Sequence, residues 1–247
     1  DPREDVMFLA KEIEMWIKNI LENGFSKMAR TAKMTGAKPE EILHERLAGL
    51  KMTEAQIKAA VKEVDPPSDP MKWDEDILLA LSKKIREASK PLIVAMNKAD
   101  IAPPGNGDLV RTIAKEAVPT MAETELALKK AEAAGIIDYV QGDKSFSIKE
   151  GAKLNDAQRK ALEYMNKNME RYSGTGVQEC LEKAAFNTLD LIVVYPVEDE
   201  THYTDHSGSV LPDAFLIPRG STAKDMAYKV HTDLGDKFIR AVNAKTK

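Results

Sequence analysis

Hydrophobic side chains near the start of the chain recur in residues 5–22 at alternating steps of three and four. This spacing places them along one stripe of a helix, and the strict alternation is typical of the seam of a coiled coil. The positions in this stripe are Val6, Leu9, Ile13, Trp16 and Ile20. We predict an amphipathic helix packed through this stripe, with Trp16 as one of its packing anchors.

Three further stretches carry the same helical periodicity before the pattern changes. They cover residues 42–50, 57–64 and 77–85. The second follows Thr53, and Gln56 three residues later completes the pattern of a capping box. A proline-rich loop, residues 65–70, comes next and precedes Trp73, which we also predict to be a packing anchor. Residues 1–88 are therefore predicted to form a domain of helical hairpins.

A different pattern begins with residues 92–96, which form a short continuous apolar run. Such a run is typical of a strand buried on both faces in a parallel sheet. Helical periodicity returns in residues 108–117, 123–134, 155–172 and 176–190. Alternation of strand and helix predicts an α/β domain over residues 89–190. One convincing strand is too few for its sheet, so we expect most of the sheet to lie elsewhere.

The last part of the chain has the pattern of a small α+β unit. Strand-like runs occupy residues 191–195, 214–217 and 238–242. A helix is predicted between the last two runs, because Thr222 and Asp225 have the spacing of a capping box. We therefore predict a third domain over residues 191–247 and a multidomain chain of mixed α/β and α+β class.

Composition and charge exclude several classes of protein. The chain has 247 residues, a formal net charge of −4 and one cysteine, Cys180. The acidic balance gives no overall attraction to nucleic acid or acidic membranes, and one cysteine cannot form an internal disulfide. No apolar run reaches the roughly 18 residues that a membrane-spanning helix needs. We expect a cytoplasmic protein without a membrane partner.

The candidate chemistry follows the predicted strand, where the chain reads Asn97-Lys98-Ala99-Asp100. This is the N-K-x-D pattern of GTP-binding proteins. Guanine presents N1–H and its exocyclic amine side by side, and the Asp100 carboxylate can accept from both. The stem of Lys98 can lie along the base, and the amide of Asn97 can hold the loop. The position suits a ligand, because α/β sheets bind ligands at the carboxyl ends of their strands.

Other interpretations of the polar residues stay open from sequence alone. Asn and Asp after a strand are also ordinary turn residues, and a pattern of three fixed residues in four can recur by chance. A second group, His202, Asp205 and His206, has side chains that could ligate a metal, but a solvated polar loop is the commoner arrangement. We therefore predict no metal site.

Several strings resemble one family, in that family's order. PLIVAMNKAD, residues 91–100, resembles the fourth GTPase motif of the YchF/Obg-like P-loop GTPases of archaeal type. DPMKW, residues 69–73, is similar to part of that family's helical coiled-coil insert. SGTGVQECLEKAAF, residues 173–186, is similar to its GSTGVQE helix. LPDAFLIPRGSTAKDMAYKVHTDLG, residues 211–235, resembles a TGS domain and is the most specific of these strings.

The resemblance implies an architecture. Residues 1–88 would be the coiled-coil insert, and residues 89–190 the C-terminal part of a Rossmann-like P-loop GTPase domain. Residues 191–247 would be a TGS domain of ubiquitin-like β-grasp fold, truncated before its final strands.

The resemblance also implies a ligand and partners. Guanine nucleotide, GTP or GDP, would contact Asn97, Lys98 and Asp100. The family's fifth motif, usually Ser-Ala, falls on Met121 and Ala122 and would offer the base oxygen a backbone N–H. The family further implies a partner in the ribosome or RNA.

A phosphate loop is missing from the sequence. Nothing matches G-x-x-x-x-G-K-[ST], and no Asp-x-x-Gly switch precedes the helical residues. We therefore interpret the chain as a fragment lacking the N-terminal P-loop region, inactive alone, with Mg²⁺ expected only in the intact protein. Uncovered strand edges predict self-association of the fragment. The rival interpretation is a non-enzymatic module in which coiled coil and TGS domain dock RNA or protein.

Overall fold

The computed structural model describes residues 1–50 and 52–246. The chain divides into two compact units, Asp1–Thr120 and Met121–Lys247. Along the described ranges, no helix combines the length and the apolar composition that crossing a membrane demands.

Helices dominate the first unit. They are α1 (Pro2–Glu22), α2 (Phe25–Thr35), α3 (Pro39–Leu47), α4 (Glu54–Val64) and α5 (Glu75–Ser89). α1 packs against α5, and α4 packs against both α3 and α5. The capping box predicted at the start of α4 is confirmed: the N–H of Gln56 donates to Thr53 Oγ1 at 3.2 Å, and the N–H of Thr53 donates to Gln56 Oε1 at 2.9 Å. The sequence pattern did not predict α2.

An apolar cluster fills the space between these helices. Its fully buried members include Ile17, Leu21, Leu43, Leu47, Ile57, Leu81 and Ile85. On α1 the buried stripe runs through Ile17 and Leu21, and Ile13 packs against it. The predicted stripe is wrong at Leu9 and Trp16, which are exposed. Trp16, 48% exposed, is not a packing anchor, because α1 turns the neighbouring Ile17 into the core instead.

The prediction that Trp73 is a packing anchor is confirmed. Only 7% of Trp73 is exposed. Its ring stacks on Phe25, with centroids 5.6 Å apart and 21° between the ring planes. Its Nε1 donates to the carbonyl oxygen of Pro67 at 2.7 Å. The loop between α4 and α5 is thus attached to the start of α2 by an aromatic pair.

Truncating the two tryptophans should therefore have unequal effects. Trp73→Ala removes a buried ring and leaves a cavity, and we expect it to lower the free energy of unfolding by about 3–5 kcal/mol. Trp16→Ala removes an exposed ring and should cost less than about 1 kcal/mol. Urea unfolding followed by far-UV circular dichroism measures both losses. Equal losses would contradict this description of the helical core.

A parallel pair of strands follows the helices of the first unit. β1 (Val94–Met96) pairs with β2 (Ala117–Pro119), and α6 (Asn106–Arg111) lies between them in the chain. The predicted burial of β1 on both faces is wrong: Ala95 is exposed, since a single neighbouring strand cannot cover both faces. The helix predicted over 108–117 ends early, at Arg111. The self-association predicted from uncovered strand edges stays a prediction.

The second unit opens with helices that enclose a core of their own. Its first elements are α7 (Ala122–Ala133), β3 (Ile137–Asp138), β4 (Ser147–Ile148), α8 (Asp156–Tyr172) and α9 (Val177–Glu182). β3 and β4 form an antiparallel pair that the sequence pattern did not predict. The helices predicted near 123–134 and 155–172 are confirmed. The helix predicted over 176–190 changes character after α9, where Lys183–Thr188 form a π-helical segment.

Two strands and two helices complete the second unit. They are β5 (Leu191–Val194), β6 (Phe215–Pro218), α10 (Ala223–Val230) and α11 (Thr232–Asp236), and β5 pairs with β6 in antiparallel fashion. The capping box predicted at the start of α10 is confirmed, with Thr222 Oγ1 accepting from the N–H of Asp225 at 3.2 Å. The strand predicted over 238–242 is wrong. That segment joins no ladder in the described part of the chain, and Ile239 is 90% exposed.

Candidate functional site

The segment Asn97 to Asp100 forms the turn that leaves β1. Asn97 and Lys98 are exposed, Ala99 is buried and Asp100 is half-buried. The N–H of Lys98 donates to Asn97 Oδ1 at 2.9 Å, so the Asn97 amide holds the turn. Lys98 has a φ of 61°, which is uncommon for a residue with a side chain. Such conformations concentrate at ligand sites and switches, and the turn is therefore a candidate binding element.

Two backbone hydrogen bonds attach this turn to the end of β2. The N–H of Thr120 donates to the carbonyl oxygen of Met96 at 3.0 Å. The N–H of Ala99 donates to the carbonyl oxygen of Thr120, also at 3.0 Å. Because the strands are parallel, with Met96 opposite Pro119, their carboxyl ends share one edge of the sheet. The backbone of the turn is fixed at that edge.

Thr120 also leaves a buried polar atom at this edge. Its side chain is buried, and among the described residues its Oγ1 has no hydrogen-bond partner. Buried hydroxyls in proteins are nearly always satisfied by protein, water or ligand. The hydroxyl therefore marks a place where a polar atom from outside the chain would be stabilised.

The other two predicted site residues open the second unit. Met121 is the N-cap residue of α7, and Ala122 is its first helical residue. The Met121 side chain is buried, and its N–H donates to the carbonyl oxygen of Thr175 at 2.8 Å. The N–H of Met121 thus already has a protein acceptor, so a ligand oxygen at this place would be served by the first turn of α7, which Ala122 begins.

A buried carboxylate lies one turn into α7. Glu125 is 5% exposed, and its Oε2 accepts from Tyr139 Oη at 2.7 Å and from Thr175 Oγ1 at 2.5 Å. Its backbone N–H donates to the carbonyl oxygen of Met121 at 3.0 Å. Its second carboxylate oxygen, Oε1, is buried and has no partner in the described part of the chain. Met121, Thr175 and Glu125 are therefore joined in one ring of hydrogen bonds.

Tyr139 is a hydroxyl donor throughout the physiological range. Burial, together with its hydrogen bond to Glu125, raises the pKa of Tyr139 to about 12. A phenolate in this place would be desolvated and would face a carboxylate of the same charge. Tyr139 therefore stays protonated and donates to Glu125.

Sequence reasoning missed the cluster of Glu125, Tyr139 and Thr175. Glu125 falls in a helix rich in glutamate and lysine, where a charged residue is normally solvated. The one available signal was the string SGTG, residues 173–176, in which two glycines flank the threonine and predict a tight turn. Nothing in the spacing of the three residues announces that they meet.

The loop with two histidines is held by local hydrogen bonds. His202 Nδ1 lies 2.8 Å from Asp199 Oδ2, and hydrogen bonds from His202 and neighbouring backbone N–H groups lower the pKa of Asp199 to about 2. Asp205 Oδ1 accepts from the N–H of Ser207 at 2.9 Å and from that of Ser209 at 2.8 Å. Within residues 1–50 and 52–246, no three His, Cys, Asp or Glu side chains gather as metal ligands would.

Two segments of the chain match known families. Residues 95–199 match the family described as Obg-like GTPase YGR210-like, G4 motif-containing domain. Residues 202–246 match the TGS domain. The chain therefore carries the G4 domain of an Obg-like GTPase followed by a TGS domain, which confirms the resemblance found in the sequence.

The chain is homologous to archaeal GTP-binding proteins. A GTP-binding protein of Methanocaldococcus jannaschii is 49% identical over 252 residues, covering 100% of this chain and 62% of that protein. One of Schizosaccharomyces pombe is 25% identical over 247 residues, covering 93% of this chain and 59% of that protein. The crystal structure of a GTP-binding protein from Pyrococcus horikoshii OT3 is similar with a TM-score of 0.75 at 39% identity, covering 99% of this chain and 65% of that one. The chain spans less than two thirds of each.

Proposed function

We propose that this chain binds guanine nucleotide, GTP or GDP, and that the turn from Asn97 to Asp100 recognises the base. The observation that carries the proposal is the geometry of the turn at the carboxyl edge of a parallel strand pair. Lys98 has a positive φ there, and Ala99 is bonded to Thr120. The match of residues 95–199 to a G4 motif-containing domain supports the same assignment.

Asp100 supplies the specificity in this proposal. Its carboxylate accepts from N1–H and from the exocyclic amine of guanine together, whereas adenine offers no such pair of donors. A carboxylate that is partly desolvated and left without donors costs roughly 1–3 kcal/mol or more, which disfavours adenine. Lys98 covers the base with its stem, and Asn97 keeps the turn in shape through Oδ1.

Met121 and Ala122 complete the proposed base site. The base oxygen accepts from the first turn of α7, whose start has no side-chain cap among the described residues. The N–H groups at the start of a helix carry partial positive charge, which suits a carbonyl oxygen. Because the N–H of Met121 is bonded to Thr175, the contact falls to the turn that Ala122 begins.

Around this site we propose three domains. Residues 1–88 form the coiled-coil insert, residues 89–190 the C-terminal part of a Rossmann-like GTPase domain, and residues 191–247 a β-grasp TGS domain. Three observations support this division: α5 ends at Ser89, the G4 match begins at residue 95, and the TGS match begins at residue 202.

Replacing Asp100 tests the base contact. Asp100→Asn keeps the shape but turns one acceptor into a donor, which suits the C2 carbonyl of xanthine better than the amine of guanine. We expect the preference for guanosine over xanthosine to fall by about 10-fold or more, the loss of a hydrogen bond to a charged group. Titrations followed by ligand-observed NMR give both dissociation constants.

The matched control is Asp108→Asn, which neutralises an exposed aspartate on α6 that pairs with Arg111. This control should leave the preference unchanged. An Asp100→Asn protein that keeps the original preference for guanosine would remove Asp100 from the site.

We further propose that this chain does not hydrolyse nucleotide by itself. Hydrolysis in P-loop GTPases needs backbone N–H groups around the phosphates, a lysine on the terminal phosphates and a hydroxyl on Mg²⁺, and no stretch of the 247 residues has that motif. We expect no phosphate release from GTP above the buffer rate, with or without Mg²⁺. Magnesium-dependent turnover by the purified chain would overturn this part of the proposal.

For the whole protein we propose a cytoplasmic role at the ribosome, with the helical domain and the TGS domain as docking elements. The match to a TGS domain supports this role, because the sequence resemblance links that domain to translation and stringent-response enzymes. We expect the chain to cosediment with archaeal ribosomes at low salt and to be released as salt rises. A chain that stays in the supernatant at low salt would contradict this role.

A further inference from the structure

We propose that Thr175 is a positioning residue for base recognition: it fixes the first turn of α7 so that a backbone N–H there meets O6 of guanine. Glu125 and Tyr139 hold Thr175 in place. The inference rests on the proposed function and adds the residues that control one contact of the same site.

Thr175 joins the start of α7 to the residue one turn further on. Its carbonyl oxygen accepts from the N–H of Met121 at 2.8 Å, and its Oγ1 donates to Glu125 Oε2 at 2.5 Å. The N–H of Glu125 donates back to Met121 at 3.0 Å, as in a regular helix. One residue therefore holds both ends of the first turn of α7. A shift of Thr175 would move the N–H groups between those ends.

The loop that carries Thr175 has little conformational freedom. Ser173, Gly174 and Gly176 have φ values of 60°, 121° and 75°. A Cβ atom on Gly174 would lie 3.3 Å from the carbonyl oxygen of Asp143, so the backbone packs closely at this point. Thr175 itself is 3% exposed. A loop with this shape holds its threonine in one place and passes that position on to α7.

The buried carboxylate makes the attachment specific for a hydroxyl. Burying a carboxylate is costly unless hydrogen bonds compensate for the water it loses. Glu125 has two donors on Oε2, from Tyr139 and Thr175, while Oε1 has none in the described part of the chain. Removing the hydroxyl of Thr175 would leave one donor for the whole group. The carboxylate would then move toward other donors and take the first turn of α7 with it.

The test uses a ligand pair that differs only at the atom in question. 6-Thioguanosine keeps N1–H and the amine that Asp100 binds but replaces O6 with sulfur, a weak acceptor. The wild-type chain should prefer guanosine over 6-thioguanosine by about 3- to 10-fold, the range of one hydrogen bond. Thr175→Val keeps the shape without the hydroxyl and should bring this ratio close to one. Thr175→Ser restores the hydroxyl and should restore the ratio.

A merely structural role for Thr175 would weaken both ligands alike and leave their ratio unchanged. A wild-type ratio in Thr175→Val, or no oxygen preference in the wild-type chain, overturns the inference. If Thr175→Val does not fold, as judged by circular dichroism, Tyr139→Phe decides the question. It removes the other hydroxyl on Oε2 and should lower the ratio in the same direction, and an unchanged ratio counts against the inference.

The outcome is separable from that of the proposed function. If Asp100→Asn shifts the preference toward xanthosine while Thr175→Val keeps the wild-type ratio, the base site stands and this inference fails. If the wild-type chain binds no guanosine, the proposed function fails first.

Discussion

Thr120 makes the backbone connection on which the proposed base site depends. Its N–H continues the ladder of the parallel strands to Met96, and its carbonyl carries that ladder one step further, to Ala99 in the turn. The turn therefore shares the rigidity of the sheet, although it lies beyond the last residue of β1. A site that recognises a base with one carboxylate needs this rigidity, because ordering a mobile loop on binding subtracts from affinity. It also maintains Lys98 in a conformation that an unrestrained loop would leave.

The parts of the fold that the sequence predicts well are those whose cause is local. Both capping boxes, at Thr53 and at Thr222, form as expected, because the partner groups are three residues apart. The errors fall where distant residues decide. Trp16 and Ile17 are adjacent and both apolar, and only packing against α5 decides which one is buried. Residues 238–242 have strand composition, yet they pair with nothing in the described ranges, so their backbone gains no ladder.

The candidate site divides in the same way. Asn97 and Asp100 could be found from the sequence because the chemistry of guanine recognition fits into four consecutive residues after a strand. Glu125, Tyr139 and Thr175 could not, since Glu125 is 14 residues from one partner and 50 from the other. A glutamate in a charged helix gives no sign of burial. Its environment is set by the loop of Thr175, whose position depends on the packing of α8.

The residue at position 121 connects these two halves of the argument. The family motif usually places Ser before Ala, and a serine at the N-cap would accept from N–H groups in the first turn of the helix. Met121 has no such oxygen, and α7 has no side-chain cap among the described residues. The helix start is held instead from outside, through the carbonyl and hydroxyl of Thr175. The exchange of Ser for Met therefore costs the site no backbone donor: it transfers the orientation of α7 to Thr175 and leaves the first-turn N–H groups without a side-chain acceptor of their own.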